Sequence, residues 1–162
     1  MRRELGRLDE GELVAIARRI APAAAAGGVL YLVGELGAGK TTFARALLGA
    51  LGVGERVKSP TYSLIESYRV ESLDVHHLDL YRIADPGELE WLGLDDLCGP
   101  AALLVVEWPE RGSGALPHPD GVIHLSHAGP MRVLAFDDRS ARGRSWLEAA
   151  TGSKTAGNEH KE

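Results

Sequence analysis

The pattern of apolar and polar residues in the first third of the chain predicts a helix, a buried strand and a second helix. Residues 8–26 carry apolar side chains at helical spacing, and Asp9 with Glu12 matches the capping-box signature of a helix start. Residues 29–33 form an unbroken apolar run, which is typical of a strand buried on both faces of a sheet. Helical spacing returns in residues 41–51. The chain therefore begins in the order helix, strand, helix.

The pattern in the rest of the chain predicts mainly strands, with short helices between them. Residues 101–106 form a second unbroken apolar run and are predicted to be a central parallel strand, which ends before Pro109. The other predicted elements are a hairpin from residues 61–70 and 74–82, a helix over 86–92, a late hairpin from 121–127 and 131–137, and a helix over 140–150. Buried strands among helices indicate a three-layer α/β/α fold with a mostly parallel central sheet.

Composition and charge limit the class of protein. The chain of 162 residues is 44% hydrophobic and 25% charged, which fits one domain, residues 1–150, with a polar tail, 151–162, that is predicted to be disordered. Cys98 is the only cysteine and the N-terminus resembles no signal peptide, so a cytoplasmic location is expected. The longest apolar run, 21–32, contains Pro22 and predicts no membrane span. A net charge of −5 argues against extended contact with nucleic acid.

Residues 34–41, Gly-Glu-Leu-Gly-Ala-Gly-Lys-Thr, match the P-loop pattern G-x-x-x-x-G-K-[ST] and lie between the predicted strand and helix. Its glycines let backbone N–H groups turn toward a phosphate, which the dipole of the following helix also favours. Lys40 is expected to contact the β- and γ-phosphates, Thr41 to ligate magnesium, and Thr42 to lie near the α-phosphate. The residues predicted to bind the nucleotide are Glu35, Leu36, Gly37, Ala38, Gly39, Lys40, Thr41 and Thr42.

The expected cofactors are ATP and Mg²⁺. A guanine-reading Asn-Lys-x-Asp element is absent from the sequence, because the only asparagine is Asn158. A GTPase of the Ras type is therefore disfavoured.

Two acidic residues outside the P-loop are candidates for the metal site and the reaction. P-loop enzymes place an acid at the end of a neighbouring apolar strand, and Glu107 follows such a run. Its alternative is a carboxylate that faces solvent. Asp79 shares a predicted strand face with His77 and Tyr81, so it is a candidate for a second acid near magnesium or the attacking water. The alternatives are a solvated face or a transition-metal pair with His77.

Thr61 and Trp108 each have two interpretations. Thr61 follows the P-loop helix at the place where nucleotide switches carry a threonine that senses the γ-phosphate, or it belongs to a plain turn fixed by Pro60. Trp108 is either a core aromatic residue or a wall beside the nucleotide.

Four sequence blocks, in order along residues 8–134, resemble the TsaE (YjeE) ATPases. These blocks are Gly34-Glu35-Leu36-Gly37-Ala38-Gly39-Lys40-Thr41-Thr42-Phe43, Lys58-Ser59-Pro60-Thr61-Tyr62, His77-Leu78-Asp79-Leu80-Tyr81-Arg82 and Val106-Glu107-Trp108-Pro109. The resemblance implies a weak ATP hydrolase that works with the TsaD and TsaB proteins. That machinery makes threonylcarbamoyladenosine beside the anticodon of tRNA, which TsaE would meet only through the complex.

The resemblance also implies roles for single residues. Lys40 and Thr41 would bind phosphate and magnesium, Glu107 would act at the metal, Asp79 would be needed for hydrolysis, and Thr61 and Trp108 would flank the nucleotide. The adenine would lie near Leu8 and Glu10. Relatives carry Gly-Arg in the late hairpin, where this chain has Gly129-Pro130-Met131-Arg132, so Arg132 is expected to replace that arginine only if the hairpin register differs. The rival functions are a small-molecule kinase and a non-catalytic nucleotide-dependent switch.

Overall fold

A seven-stranded sheet forms the centre of the structure, a computed structural model that describes residues 2–54 and 64–152. The strands are β1 (Arg2–Leu8), β2 (Gly28–Gly34), β3 (Ile65–Val70), β4 (Leu73–Asp79), β5 (Ala102–Glu107), β6 (Gly121–Ala128) and β7 (Met131–Asp138). The α-helices are α1 (Glu10–Ala24), α2 (Lys40–Leu48), α3 (Leu94–Leu97) and α4 (Ala141–Thr151). Two 3₁₀-helices, Pro86–Leu92 and Pro109–Gly112, complete the elements that position the site.

The strand order is β1-β7-β6-β2-β5-β4-β3. The four central strands, β6, β2, β5 and β4, run parallel to one another. The outer strands β3, β7 and β1 are joined in antiparallel pairs. The predicted parallel sheet is therefore confirmed at its centre, and the two predicted hairpins lie at its two sides as β3–β4 and β6–β7. Strand β4 ends at Asp79, three residues before the predicted end, and residues 61–63 of the first predicted strand lie outside the described residues.

The central strands are buried because alternate residues belong to two separate cores. In β5, Leu103 and Val105 pack in the core beneath α1, α2 and α4, whereas Leu104 and Val106 pack in the second core. The second core is covered by α3 and the two 3₁₀-helices, with Leu89 and Leu94 as buried members. The third layer of the α/β/α arrangement is thus built from short helical segments.

The start of the chain shows one confirmed and one missed element. The capping box is present, since Asp9 Oδ1 accepts from Glu12 N at 2.8 Å and Glu12 Oε1 accepts from Asp9 N at 2.9 Å. Strand β1 was not predicted, because its sequence is mostly charged and lacks alternating apolar residues. It is an edge strand paired with β7, and charged side chains are common on such edges.

At the other end, α4 includes Thr151, one residue beyond the predicted helix. The tail was predicted to be disordered, and its residues from 153 onward lie outside the described part of the chain. Within the described residues, no helix has the length and apolar character needed to cross a membrane.

Candidate functional site

A cleft of about 290 Å³ opens where the parallel strands β2, β4 and β5 end. These ends carry Gly34, Asp79 and Glu107. The carboxyl ends of parallel strands are the usual ligand-binding edge of an open α/β sheet. The residues that line the cleft are Glu10, Leu13, Leu36, Gly37, Gly39, Lys40, Thr41, Thr42, Asp79, Tyr81, Glu107, Trp108, Pro130 and Arg132.

The P-loop glycines serve two different purposes. Gly37 and Gly39 have φ angles of 79° and 109°, so they adopt the left-handed conformation that glycine tolerates best. Gly34 has no such angle. A Cβ atom added to Gly34 would lie 2.4 Å from the carbonyl oxygen of Leu125 in the neighbouring strand β6. Gly34 is therefore required by close strand packing, whereas Gly37 and Gly39 shape the loop.

Helix α2 offers its first backbone N–H groups to the cleft. Helices α1 and α4 begin with side-chain caps from Asp9 and Ser140. The N-cap of α2 is Gly39, and no side chain among the described residues caps its first turn. Uncapped N–H groups and the positive end of the helix dipole form a natural anion site. This helix start fits a phosphate group.

Lys40 is almost completely buried and is held by the loop itself. Its Nζ donates to the carbonyl oxygens of Gly34 at 2.5 Å and Glu35 at 2.9 Å, and lies 4.3 Å from the centre of the Trp108 ring. Burial lowers the pKa of Lys40, and nearby carboxylates, Glu107 first, oppose that shift. The ammonium group thus lies beside the P-loop, where it could contact a bound anion.

A chain of hydrogen bonds links α2, β5 and β4 behind this lysine. The Thr41 hydroxyl donates to Oε1 of Glu107 at 3.0 Å, and Oε2 of the same carboxylate is 2.7 Å from Nε2 of His77. Glu107 is 2% exposed and His77 is fully buried. A hydroxyl and a carboxylate beside a phosphate site suit the oxygen ligands that Mg²⁺ prefers. Thr41 and Glu107 are therefore the residues that could hold this ion.

Asp79 lies opposite Glu107 in the β4–β5 pair. Its Oδ1 accepts from Tyr81 N at 3.1 Å. Burial raises the pKa of Asp79, and the charge of Glu107 adds to the rise. The Tyr81 hydrogen bond and the positive charge of Lys40 act in the opposite direction.

Aromatic rings form one wall of the cleft. The rings of Tyr81 and Trp108 are 5.0 Å apart, and the Arg111 guanidinium lies 5.3 Å and 5.6 Å from their centres. Trp108 has a φ of 58°, an unusual value for a residue with a side chain. Strain of this kind concentrates at functional sites. Trp108 thus belongs to the cleft wall.

The β6–β7 hairpin is attached to the outside of the P-loop. Arg132 donates to the Gly37 carbonyl at 3.2 Å, and His127 Nε2 is 3.3 Å from the Leu36 carbonyl. The two side chains are neighbours, because His127 pairs with Arg132 across the hairpin. In this register Arg132 lines the cleft. That Arg132 takes the role of the late-hairpin arginine of relatives stays a prediction.

The structure brings most of the predicted site residues together, but some lie elsewhere. Leu8 and Ala38 are buried in the main core, and Glu35 contributes its carbonyl oxygen to Lys40 without lining the cleft. Thr61 lies outside the described residues. Tyr81 and Leu13 line the cleft without having been proposed as site residues. The sequence predicted that Tyr81 shares a strand face with Asp79, but β4 ends at Asp79 and Tyr81 lies in the following turn.

Comparison with known proteins gives a consistent result. The family described as "Threonylcarbamoyl adenosine biosynthesis protein TsaE" matches residues 8–133. Two proteins named "tRNA threonylcarbamoyladenosine biosynthesis protein TsaE" are similar. The one from Haemophilus influenzae is 38% identical over 121 residues, covering 75% of this chain and 77% of that protein. The one from Bacillus subtilis is 40% identical over 118 residues, covering 73% of each.

A solved structure agrees with these matches. The crystal structure of YdiB from Bacillus subtilis superposes with a TM-score of 0.73 at 30% identity, covering 94% of this chain and 97% of that one. The P-loop, the cleft and the resemblance of the sequence blocks are all contained in the matched region. The chain therefore belongs to the TsaE family of threonylcarbamoyl adenosine biosynthesis proteins.

Proposed function

We propose that this protein binds and hydrolyses ATP with Mg²⁺ in the P-loop cleft, and that hydrolysis drives cycling of the TsaB and TsaD proteins during threonylcarbamoyladenosine formation on tRNA. The observation that carries the ATPase proposal is the group formed by the uncapped start of α2, Lys40, and the Thr41–Glu107 hydrogen bond. The names of the similar proteins support the pathway.

Each residue of the cleft has a distinct task in this function. The N–H groups of the P-loop and first helical turn bind phosphate oxygens, and Lys40 exchanges its two carbonyl partners for phosphate charge. Thr41 and Glu107 hold the Mg²⁺ ion, which when bound neutralises phosphate charge. Asp79, across from Glu107, orients the attacking water. Trp108 and Tyr81 limit access of bulk water on one side.

The proposed function is tested by measuring phosphate release from ATP by the purified protein, alone and with the TsaB and TsaD proteins of the same organism. Stimulated release with ATP-dependent co-elution is the expected result. Release without stimulation or complex formation would contradict the role in cycling. Transfer of phosphate to a metabolite, in place of release, would indicate a kinase.

Substitution of the two acids is expected to separate metal binding from hydrolysis. Glu107→Gln should raise the Mg²⁺ concentration needed for tight ATP binding, because an uncharged amide is a poor ligand for this ion. Asp79→Asn should leave Mg²⁺-dependent binding close to wild type and slow hydrolysis by about 100-fold, the scale of general-base catalysis. Binding titrations and single-turnover rates measure the two effects. Equal losses in both assays for both variants would refute this division.

The pH dependence of hydrolysis is expected to report on Asp79. The pKa of this carboxyl is raised above its ordinary value of 3.8, mainly by burial, so kcat should fall as the pH drops through the raised pKa. Asp79→Asn should lack this acid limb. A limb that persists in the variant would assign it to another group.

The effect of Asp79→Asn on the free energy of unfolding also has a definite sign. Because the pKa of Asp79 is higher in the folded than in the unfolded state, the ionised form opposes folding above the folded-state pKa, and this penalty vanishes below pH 3.8. The amide oxygen of the variant side chain would keep an acceptor for Tyr81 N–H without the charge, so Asp79→Asn should be at least as stable as wild type at pH 7. The difference should disappear in acid.

An exposed acidic surface supports a protein partner. Trp91 is 90% exposed, and residues 83–100 carry no Lys or Arg. The exposed acids of the same segment are Asp85, Glu88, Glu90, Asp95 and Asp96. Such a surface repels nucleic acid and fits a protein with positive charge around an apolar recess, where tryptophan is a frequent binding hot spot.

Trp91→Ser is accordingly expected to weaken co-elution with TsaB and TsaD about tenfold or more, without changing phosphate release by the isolated protein. Sedimentation or gel filtration with ATP present measures the first effect. Undiminished complex formation would place the contact on another surface.

A further inference from the structure

Two neighbouring histidines in β4 have opposite surroundings. His76 Nδ1 is 2.8 Å from the hydroxyl of Ser67 in the adjacent strand. His77 points to the other face of the sheet, is fully buried, and has Nε2 2.7 Å from Oε2 of Glu107. Within residues 2–54 and 64–152, Nδ1 of His77 has no hydrogen-bond partner. Among the described residues, the ring of His77 thus has one polar contact, and that contact is to the cleft carboxylate.

This arrangement requires a proton on the ring nitrogen of His77 that faces Glu107. A carboxylate can only accept hydrogen bonds, so Nε2 of His77 must be the donor. A buried polar atom without a partner is unfavourable, and such atoms call for a functional explanation. If His77 served packing alone, an apolar residue of similar size would avoid this cost.

The geometry around Glu107 supplies that explanation. Asp79 is directly opposite Glu107 in the β4–β5 pair, and His77 lies two residues earlier on the same face. From there the His77 ring contacts Oε2 of Glu107, while Oε1 of Glu107 accepts a hydrogen bond from the Thr41 hydroxyl at 3.0 Å. Without the His77 contact, the carboxylate could rotate and turn Oε1 away from Thr41.

We propose that His77 is a positioning residue for the metal site: its Nε2–H holds Oε2 of Glu107 so that Oε1 stays beside Thr41, where the Mg²⁺ ion binds. This inference rests on the proposed function, because it takes Thr41 and Glu107 as the metal-holding pair. Groups that orient a metal ligand in this way typically change metal affinity 10- to 100-fold when they are removed.

The main test compares three variants of the full chain. His77→Leu removes the donor, His77→Gln places an amide N–H near the position of Nε2, and His76→Leu is the matched control on the opposite face. Mg²⁺ titrations of ATP hydrolysis are combined with binding of a fluorescent ATP analogue in EDTA. We expect His77→Leu to raise the half-saturating Mg²⁺ concentration about 10- to 100-fold while Mg²⁺-free binding is unchanged. His77→Gln should recover most of the loss, and His76→Leu should behave as wild type.

A purely structural role predicts different results. It would lower Mg²⁺-free binding and thermal stability together, with His76→Leu as damaging as His77→Leu. That outcome would overturn the proposal. Wild-type Mg²⁺ dependence in His77→Leu would also overturn it, as would a His77→Gln variant that does not recover Mg²⁺ affinity.

A second measurement does not depend on hydrolysis. ¹⁵N NMR of labelled histidine should show His77 with its proton on Nε2, and Glu107→Gln should shift that signal. An Nε2 without a proton would overturn the proposal. If the wild-type protein neither binds nor hydrolyses ATP with Mg²⁺, the proposed function is wrong and the metal role of His77 falls with it. In that case the NMR result still decides whether His77 holds Glu107.

Discussion

Lys40→Met is expected to lower the rate of ATP hydrolysis about 100- to 1,000-fold, the scale for losing one preorganised electrostatic contact in an active site. The ammonium group is buried at the edge of the cleft, where its charge is little screened by water. Methionine keeps the apolar stem and removes the charge. Phosphate release and ATP binding by calorimetry would measure the loss.

The control for this variant is Arg45→Met on the same helix. Arg45 is exposed on α2 and does not line the cleft, so its loss should leave hydrolysis close to wild type. Thermal stability of Lys40→Met should also be near wild type. Hydrolysis by Lys40→Met at a rate similar to wild type would show that the P-loop is not the catalytic phosphate site.

Gly143→Ala is expected to destabilise the protein by about 3 kcal/mol, the upper part of the usual range for overpacking. Gly143 is in the first turn of α4, and an added Cβ would lie 1.8 Å from the carbonyl oxygen of Asp120. That oxygen accepts from Arg139 N at 2.8 Å, while the Asp120 side chain accepts from Val29 N and the Ser140 hydroxyl, each at 2.8 Å. The clash therefore falls on Asp120, whose hydrogen bonds link β2 to the connection between β7 and α4.

Gly49→Ala is the matched control, because it makes the same change at the end of α2. Gly49 has a helical φ of −61°, and in the described part of the chain no atom outside the adjoining helix backbone lies within 4 Å of an added Cβ. Alanine there should stabilise the fold by up to about 1 kcal/mol by restricting the unfolded chain. The melting temperature of Gly143→Ala should fall by roughly 10 °C. Equal effects of the two substitutions would contradict the packing argument.

The hairpin contacts explain why the P-loop is tied to a distant part of the sequence. Residues 36 and 37 lie about 90 positions before His127 and Arg132 in the chain, yet their carbonyl oxygens point to those side chains. The carbonyls of a phosphate loop face outward when its N–H groups face the ligand. The β6–β7 hairpin thus bonds the outer side of the loop and leaves the inner side open to the proposed nucleotide.

Local sequence patterns predicted much of this molecule correctly. Short-range spacing predicts the capping box at Asp9 and Glu12, the central strands β2 and β5, and the strand, loop, helix order around Lys40, because the hydrogen bonds or packing faces involved repeat within a few residues. Strand β5 is buried on both faces as predicted, whereas one face of β2 is only partly buried. The proximity of Glu107 to the P-loop could also be expected, since parallel strands end at one edge.

Other features were decided only by the tertiary structure. The edge strand β1 exists because β7 offers it a partner, although its own sequence is mostly charged. The requirement for Gly34 comes from the Leu125 carbonyl on another strand, and the contact between His77 and Glu107 joins side chains 30 residues apart. Sequence therefore determined the local elements and the chemistry of the P-loop, since these depend on neighbouring residues. The pairing of edges, the close approach of backbones and the orientation of the cleft carboxylates depend on distant residues, so they are set only when the sheet is assembled.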